Sequence, residues 1–239
     1  MSGVLRSLLL APPVIAAAGR LYLRGLPLIV PFAVVVFGAT DLGLHFVNDW
    51  LGHSVDPADT AGITFGVALL VVVLASSMFA EVLFAGLLDR VVEADLERRP
   101  TPSVGRVAAG LPYGRLVLAD GLILGLGVAG LVLCVLPGLA AFMLLALAGP
   151  LVIIEGLGPW AAVRRSFQLL RTRLGAAFVL VLVPGLVVSS VDEWIGAMAE
   201  RWPMIESVVV EVAVDATLAA YAGLLIAVLA RRLVSARSA

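Results

Sequence analysis

The chain is poor in the residues that build covalent and metal frameworks. It has one cysteine, Cys134, so it can form no internal disulfide and no cysteine-based metal site. Lysine is absent, histidine occurs twice, and 14% of the 239 residues are charged, with a net charge of −1. This balance offers no strongly basic surface, so we predict no nucleic-acid partner.

Recognisable catalytic motifs are missing as well. The chain contains no phosphate-binding glycine loop, no HExxH motif and no GxSxG elbow. A serine-based triad would have to use His45 or His53, and both fall near the predicted outer face. We therefore predict that the protein is not an enzyme and that it needs no cofactor.

The sequence is unusually rich in hydrophobic residues. Hydrophobic residues make up 62% of the chain, against roughly 45–50% in an ordinary soluble domain. They occur in long uncharged blocks that can cross a bilayer, and the alternating strands of a membrane barrel are not seen. We predict an all-α polytopic membrane protein, a single integral membrane domain over residues 1–239. Its six transmembrane helices are expected at about 25–47, 62–88, 116–136, 139–155, 174–191 and 207–230.

The order of spans and the distribution of arginine predict the topology. Pro137 cannot continue a helix and Gly138 permits unusual backbone angles, so residues 136–138 should form a tight outer turn between spans three and four. Every arginine except Arg201 falls on the other side of the predicted membrane. The positive-inside rule then places that side and both termini in the cytoplasm.

Basic amphipathic stretches precede spans one, three and five: VIAAAGRLYLRGLP, TPSVGRVAAGLPYGR and GPWAAVRRSFQLLRTR. We predict that they lie in the inner-leaflet interface with their arginines toward anionic lipid headgroups. Thr101 is a natural N-cap for the second stretch. The recurrence suggests three repeats of an interfacial helix and a helical hairpin. The first stretch has a cleaved signal peptide as its alternative, which Pro12 and Pro13 oppose.

The turn after span four centres on Glu155. Gly156 and Gly158 permit a sharp turn, and Pro159 suits the first position of the next helix. Glu155 should stabilise this turn through the helix N-terminus and through Arg165. One face of that helix should be apolar, and it comprises Val163, Phe167, Leu170 and Leu174.

The segment LPGLAAFMLLALAGPLVIIEGLGPWAAVRRSFQLLRTRLGAAF resembles the signature region of a family of small bacterial and archaeal membrane proteins. It is similar to the membrane domain fused to some glycerophosphodiester phosphodiesterases and to the stand-alone six-span relatives of that domain, whose function is uncharacterised. The resemblance implies a bacterial plasma membrane. It implies no hydrolase activity, because the hydrolase half of the fused proteins is a separate barrel for which this chain has no room. Structural roles are expected for Pro137, Glu155, Gly156, Arg164, Arg165 and Ser166.

Ionisable residues inside spans are the default functional candidates, because burying them in lipid is costly. Glu211 and Asp215 lie one helical turn apart and share a face of span six. These acids either line a cation or proton path or join helices by hydrogen bonds, and a contiguous water-filled cavity connecting Asp41 to Asp215 would favour a path. The candidates are Asp41, Glu81, Asp120, Glu211 and Asp215.

A second pattern places Asp41, His45, Asp49 and His53 at four-residue intervals. Such residues suit zinc or a similar ion, provided that one helix continues through all four. We expect the helix to end near Phe46, so we predict no metal site.

Small residues also recur at four-residue spacing. Gly121, Gly125 and Ala129 do so in span three, and Ala219, Gly223 and Ala227 do so in span six. This spacing lets helices approach closely, and we predict packing within the chain rather than dimerisation.

Three functional hypotheses follow, of which one, a lipid-acting enzyme, is supported only by the family resemblance. The first is a non-enzymatic accessory or scaffolding protein of the plasma membrane. Its partners would be the bilayer, anionic lipids, and a membrane protein or a second copy of the chain. The alternative is a small cation or proton transporter or channel that uses the intramembrane carboxylates.

Overall fold

The computed structural model describes residues 9–53, 60–101, 103–199 and 204–238, and it contains no strand within them. The chain is almost entirely helical. In order, the elements are α1 (Ala11–His53), α2 (Thr60–Leu96), α3 (Val104–Gly110), α4 (Tyr113–Leu133), α5 (Val135–Leu145), α6 (Ala148–Ile154), α7 (Pro159–Leu170), α8 (Leu174–Ala177), a π-helical turn (Phe178–Leu182), α9 (Val183–Ala199) and α10 (Met204–Ser238).

Six of the described helical segments are long and apolar enough to cross a membrane. This confirms the all-α fold class and the number of candidate spans. Each predicted span overlaps one of these segments, although most of the boundaries move by several residues. The segments are Ala11–Val47, Thr64–Leu96, Tyr113–Val132, Val135–Ile154, Leu174–Met198 and Val209–Ala236.

The first helix is longer than the sequence predicts at both ends. Pro12 and Pro13 lie in its first turn, where a backbone N–H has no helical acceptor, so they do not interrupt it. The basic stretch that follows is continuous with the first span, and Val14 and Ala18 are buried against the bundle. The helix also continues past Phe46 to His53, so the predicted helix end near Phe46 is wrong.

The three segments that were expected to repeat adopt three different structures. The first is part of α1, the second forms the seven-residue α3, and the third forms the twelve-residue α7. Ser103, and not Thr101, occupies the N-cap position of α3, and its side chain makes no capping hydrogen bond. The threefold repeat is therefore not confirmed.

The hairpin of α4 and α5 turns at Cys134, three residues before the predicted centre at Pro137. The backbone of Cys134 is extended, with φ −173° and ψ 146°, and Pro137 lies in the first turn of α5. The two helices cross very closely, since a Cβ atom at Gly130 would lie 2.8 Å from the Cα atom of Gly138. This close crossing holds the hairpin together.

Two of the candidate spans are interrupted one turn before a proline. Pro150 has no N–H to donate to the carbonyl of Ala146, and the fourth span breaks at residues 146–147 into α5 and α6. Pro184 likewise cannot bond to Leu180, and the fifth span contains its π-helical turn there. Both interruptions follow from missing backbone donors.

The last helix, α10, lies at the centre of the bundle and packs against α1, α2, α6 and α9. It runs antiparallel to α1, since Tyr22 packs edge-on against Tyr221 and Gly38 faces Val212. Half of the buried side chains lie on the second half of α2, on α6 and α7, and on the second half of α10. The core therefore sits near the C-terminal end of α10.

Candidate functional site

All ion pairs found among the described residues lie at one end of the bundle, which we call the basic end. They join the start of α1, the end of α2, the turn before α7 and the end of α10. The pairs are Arg24–Asp95 (3.4 Å), Arg90–Glu93 (2.6 Å), Arg99–Glu97 (3.1 Å), Arg165–Glu155 (3.1 Å), Arg231–Asp89 (2.7 Å) and Arg231–Glu93 (3.6 Å).

Glu155 is held by arginine and does not cap α7. The guanidinium of Arg165 donates from Nε to Oε2 at 3.2 Å and from Nη2 to Oε1 at 3.1 Å. Gly156 adopts φ +65°, a left-handed angle that glycine tolerates, and its carbonyl accepts a bond from Arg115 at 3.3 Å. Two arginines from different helices therefore fix this turn.

Ser166 forms hydrogen bonds with the backbone at the break in the fourth span. Its hydroxyl donates to the carbonyl of Leu144 at 2.7 Å and accepts from the N–H of Leu147 at 3.2 Å. In an unbroken helix these two groups would bond within the helix itself. Ser166 is fully buried, so it satisfies backbone groups that would otherwise be costly to bury. The sequence predicted a structural role for Ser166, but it did not predict these hydrogen bonds to the backbone of the fourth span.

The faces of α7 differ from the prediction. Val163 and Leu170 are buried, but they face α4, α5 and α6 rather than lipid, together with Ser166. Phe167 and Leu174, assigned to the same apolar face, are exposed. The exposed side of α7, here called the α7 stripe, carries Trp160, Arg164, Phe167 and Arg171, and the Arg171 guanidinium lies 6.0 Å from the centre of the Phe167 ring.

Far from the basic end, three of the predicted acids come together. Asp41 on α1 and Glu211 and Asp215 on α10 line one pocket of about 200 Å³ with Ile195 of α9. One carboxylate oxygen of Asp41 is buried. We call this site the acidic pocket. Asp41 and Asp215 therefore line the same pocket.

The other two predicted acids lie nearer the basic end. Asp120 lines a second pocket of about 200 Å³ that is otherwise almost wholly apolar, and which we call the apolar pocket. Glu81 is exposed on the surface of α2 and close enough to Asp120 for the two charges to interact. Gly149 lines the same pocket as Asp120, and a Cβ atom at Gly149 would lie 3.9 Å from Asp120 Oδ1.

Residues at four-residue steps on α10 line both pockets, which are separate and share no lining residue. Glu211 and Asp215 line the acidic pocket, and at the next four-residue steps Ala219, Gly223 and Ala227 line the apolar pocket. Such a line winds slowly around a helix, by about 40° per step. The small residues of span six therefore face a cavity and the neighbouring α2 helix. Those of span three differ, because Gly121 and Gly125 have open space where a Cβ atom would lie.

The buried pair Asp89–Arg231 was missed by sequence reasoning. Asp89 is 1% exposed and accepts two bonds from Arg231, from Nε at 3.1 Å and from Nη2 at 2.7 Å. Glu93 lies 3.6 Å from the same guanidinium. The sequence prediction ended span two at residue 88, which left Asp89 in a loop. The sequence did contain one signal for this pair. Asp89 and Arg231 directly follow predicted spans two and six, and both lie on the predicted cytoplasmic side.

No group of three or more metal-binding side chains occurs in the part of the chain that the structure describes. Asp41 and His45 lie one turn apart on α1, and His45 is exposed. The side chains of Asp49 and His53 lie outside the described residues. Because α1 is continuous to His53, the predicted helix end near Phe46 does not separate these four residues. The structure describes the side chains of only Asp41 and His45 among them.

Comparison of the chain with family models, with curated proteins and with solved structures gives no match. The resemblance of residues 136–178 to the phosphodiesterase membrane-domain family therefore stays a prediction.

Proposed function

We propose that the protein is a small cation or proton transporter whose path follows α10. The observation that carries this proposal is the acidic pocket, in which Asp41, Glu211 and Asp215 meet from the first and last helices around about 200 Å³. Carboxylates within membrane-spanning segments are costly and mark ion or proton pathways. Among the residues that the structure describes, Ile195 is the one apolar side chain in the lining, so the pocket suits a cation or water better than an apolar ligand.

The rest of the path follows the line of small residues. From Glu211 to Ala227 the helix rises by roughly 24 Å, most of the hydrocarbon thickness of a bilayer. Ala219, Gly223 and Ala227 line the apolar pocket, and Asp120 supplies a second carboxylate in the same lining. A cation or proton leaving the acidic pocket would meet this carboxylate next.

The path closes at the basic end. Arg231 follows Ala227 by one further four-residue step and is paired with the buried Asp89. The paired side chains occupy this end of the line, so we propose that the described arrangement is a state closed on that side. Transport would require the Arg231–Asp89 pair to rearrange.

We propose that the basic end faces the cytoplasm of a bacterial cell and that the acidic pocket opens toward the outside. The gathering of ion-paired arginines at one end supports this orientation through the positive-inside rule. Both termini would then be cytoplasmic, and the membrane would be the bacterial plasma membrane.

Uptake into liposomes tests this function. Purified protein would be reconstituted into liposomes that contain a pH-sensitive dye, and separately into liposomes assayed with sodium, potassium or rubidium ions. We expect uptake of protons or of at least one cation above that of empty liposomes. Uptake equal to that of empty liposomes for every ion, from a protein that is folded by its melting curve, would contradict the proposal.

A second candidate is the accessory or scaffolding protein. The α7 stripe favours it, because Trp160 and Phe167 are 65% and 42% exposed beside arginines at the basic end. A photo-crosslinking residue at Phe167 should then give one discrete protein adduct in cells. The same residue at Val132, exposed at the tip of α4, is the control and should give none. Equal patterns at both positions would remove this candidate.

A further inference from the structure

The basic end contains a pocket that neither functional candidate uses. It lies between the end of α2 and α3, encloses about 350 Å³ and is lined by Arg90, Glu93, Glu97, Arg99 and Arg106. A second pocket of about 220 Å³ adjoins Arg90 and Arg106 and is completed by Val107 and Gly110. The two arginines thus stand between neighbouring cavities.

The end of α2 is shaped so that Arg99 joins this pocket. Arg98 adopts φ 54°, a left-handed conformation that is unusual for a residue other than glycine. The N–H of Arg99 then donates to the carbonyl of Ala94 at 2.8 Å. The chain therefore turns back on α2, and Arg99 lines the pocket that Arg90 of the helix also lines.

The charges of the lining do not cancel. Arg90 is paired with Glu93 at 2.6 Å and Arg99 with Glu97 at 3.1 Å. Arg106 is exposed and makes no ion pair with any residue that the structure describes. Three arginines against two glutamates leave one net positive charge.

We propose that this pocket binds the phosphodiester group of an anionic phospholipid. Guanidinium groups form paired hydrogen bonds to phosphate oxygens, and a phosphodiester carries the single negative charge that the lining lacks. The pocket lies where the candidate span Thr64–Leu96 ends, and Leu96 beside it is 64% exposed, as a residue next to acyl chains would be. This site is separate from the acidic pocket and does not depend on the proposed transport.

Lipid binding to the purified full-length protein in detergent tests the proposal. Native mass spectrometry would count bound molecules of dioleoylphosphatidylglycerol and of dioleoylphosphatidylcholine as each is titrated. We expect one saturable site for phosphatidylglycerol. Replacing two pocket arginines, Arg99→Gln with Arg106→Gln, should weaken it at least about tenfold, the ratio expected from losing charge-assisted hydrogen bonds.

A charge-matched control separates this site from general attraction. Arg20→Gln with Arg232→Gln removes the same charge from two exposed arginines of α1 and α10 that do not line the pocket, and it should change the affinity less than about twofold. Glu97→Gln should act in the opposite direction and tighten binding, because it frees Arg99. Arg106→Gln alone breaks no ion pair, so it keeps the test valid if the double variant misfolds.

Three results would overturn the proposal. Equal weakening by the pocket variant and the control would indicate diffuse attraction to lipid. Equal affinity for the two phospholipids would indicate that the net negative charge of phosphatidylglycerol does not contribute to binding. Displacement of phosphatidylglycerol by millimolar inorganic phosphate would indicate a site for a soluble anion instead of a lipid headgroup.

Discussion

At the scale of single residues, polar side chains in this protein mainly hold backbone and helices in place. Ser166 satisfies two backbone groups at a helix break, and Glu155 is held by both nitrogens of one arginine. Asp89 and Arg231 join two spans at their ends. These contacts account for residue types that a purely apolar helical bundle would not require.

Ser166→Ala should lower the free energy of unfolding by about 1–3 kcal/mol, because it leaves the carbonyl of Leu144 and the N–H of Leu147 without a partner. Denaturation in detergent measures this change. Ser190→Ala, at an exposed position of α9, is the matched control and should have little effect. Equal stability of the two variants would show that the break does not need the hydroxyl.

The Asp89–Arg231 pair should behave as a unit. Arg231→Met leaves Asp89, 1% exposed, without its main cation, and such a loss typically costs about 3–5 kcal/mol. The double variant Asp89→Leu with Arg231→Met should be clearly more stable than Arg231→Met alone, since no buried charge remains. Unfolding curves of the two single variants and the double variant measure this. Additive losses would mean that the two residues are not coupled.

At the scale of helices, sequence patterns predicted the elements better than their interruptions. Long apolar blocks predicted six candidate spans, because the length of hydrocarbon needed to cross a bilayer is a strong constraint. The break at residues 146–147 and the π-helical turn arise from Pro150 and Pro184 acting one turn upstream. Whether a helix bends, breaks or continues through a proline depends on neighbouring helices, and α1 continues through Pro27 and Pro31.

The candidate site could be predicted only in part, for a similar reason. The acids were identifiable because charge inside an apolar block stands out in any sequence. The grouping of Asp41 with Glu211 and Asp215 depends on α1 packing against α10, which are separated by most of the chain. Asp89 was missed because its partner is 142 residues away.

The close crossing of α4 and α5 gives a prediction for an element. Gly130→Ala should destabilise the protein, because the added Cβ would lie 2.8 Å from backbone of Gly138, which cannot move like a side chain. Gly125→Ala on the same helix meets no atom within 4 Å and should be neutral or slightly stabilising. Thermal melting of both variants in detergent measures the difference. Equal melting temperatures would contradict the described hairpin.

At the scale of the whole molecule, the two ends of the bundle are chemically different. One end carries paired arginines and a pocket with one excess positive charge. The far half carries the acidic pocket. A cation would therefore be attracted more strongly to the half of the bundle that carries the acidic pocket.

Cysteine labelling tests how this asymmetry is oriented. In a Cys134→Ala background, Glu206→Cys in the first turn of α10 should react with a membrane-impermeant maleimide on intact cells. Gln168→Cys on α7 and Glu97→Cys in the pocket between the end of α2 and α3 should react only after the cells are opened. Labelling of the two basic-end positions from outside would reverse the proposed orientation.

We propose that the acidic pocket binds an ion during transport, and ion uptake by one variant tests this proposal. Asp215→Asn keeps the size of the side chain and removes its charge, so it should abolish uptake into liposomes while the melting curve stays close to that of the unmodified protein. Glu206→Gln, an exposed acid of the same helix outside the pocket lining, should transport normally. Uptake by Asp215→Asn at the unmodified rate would contradict the account.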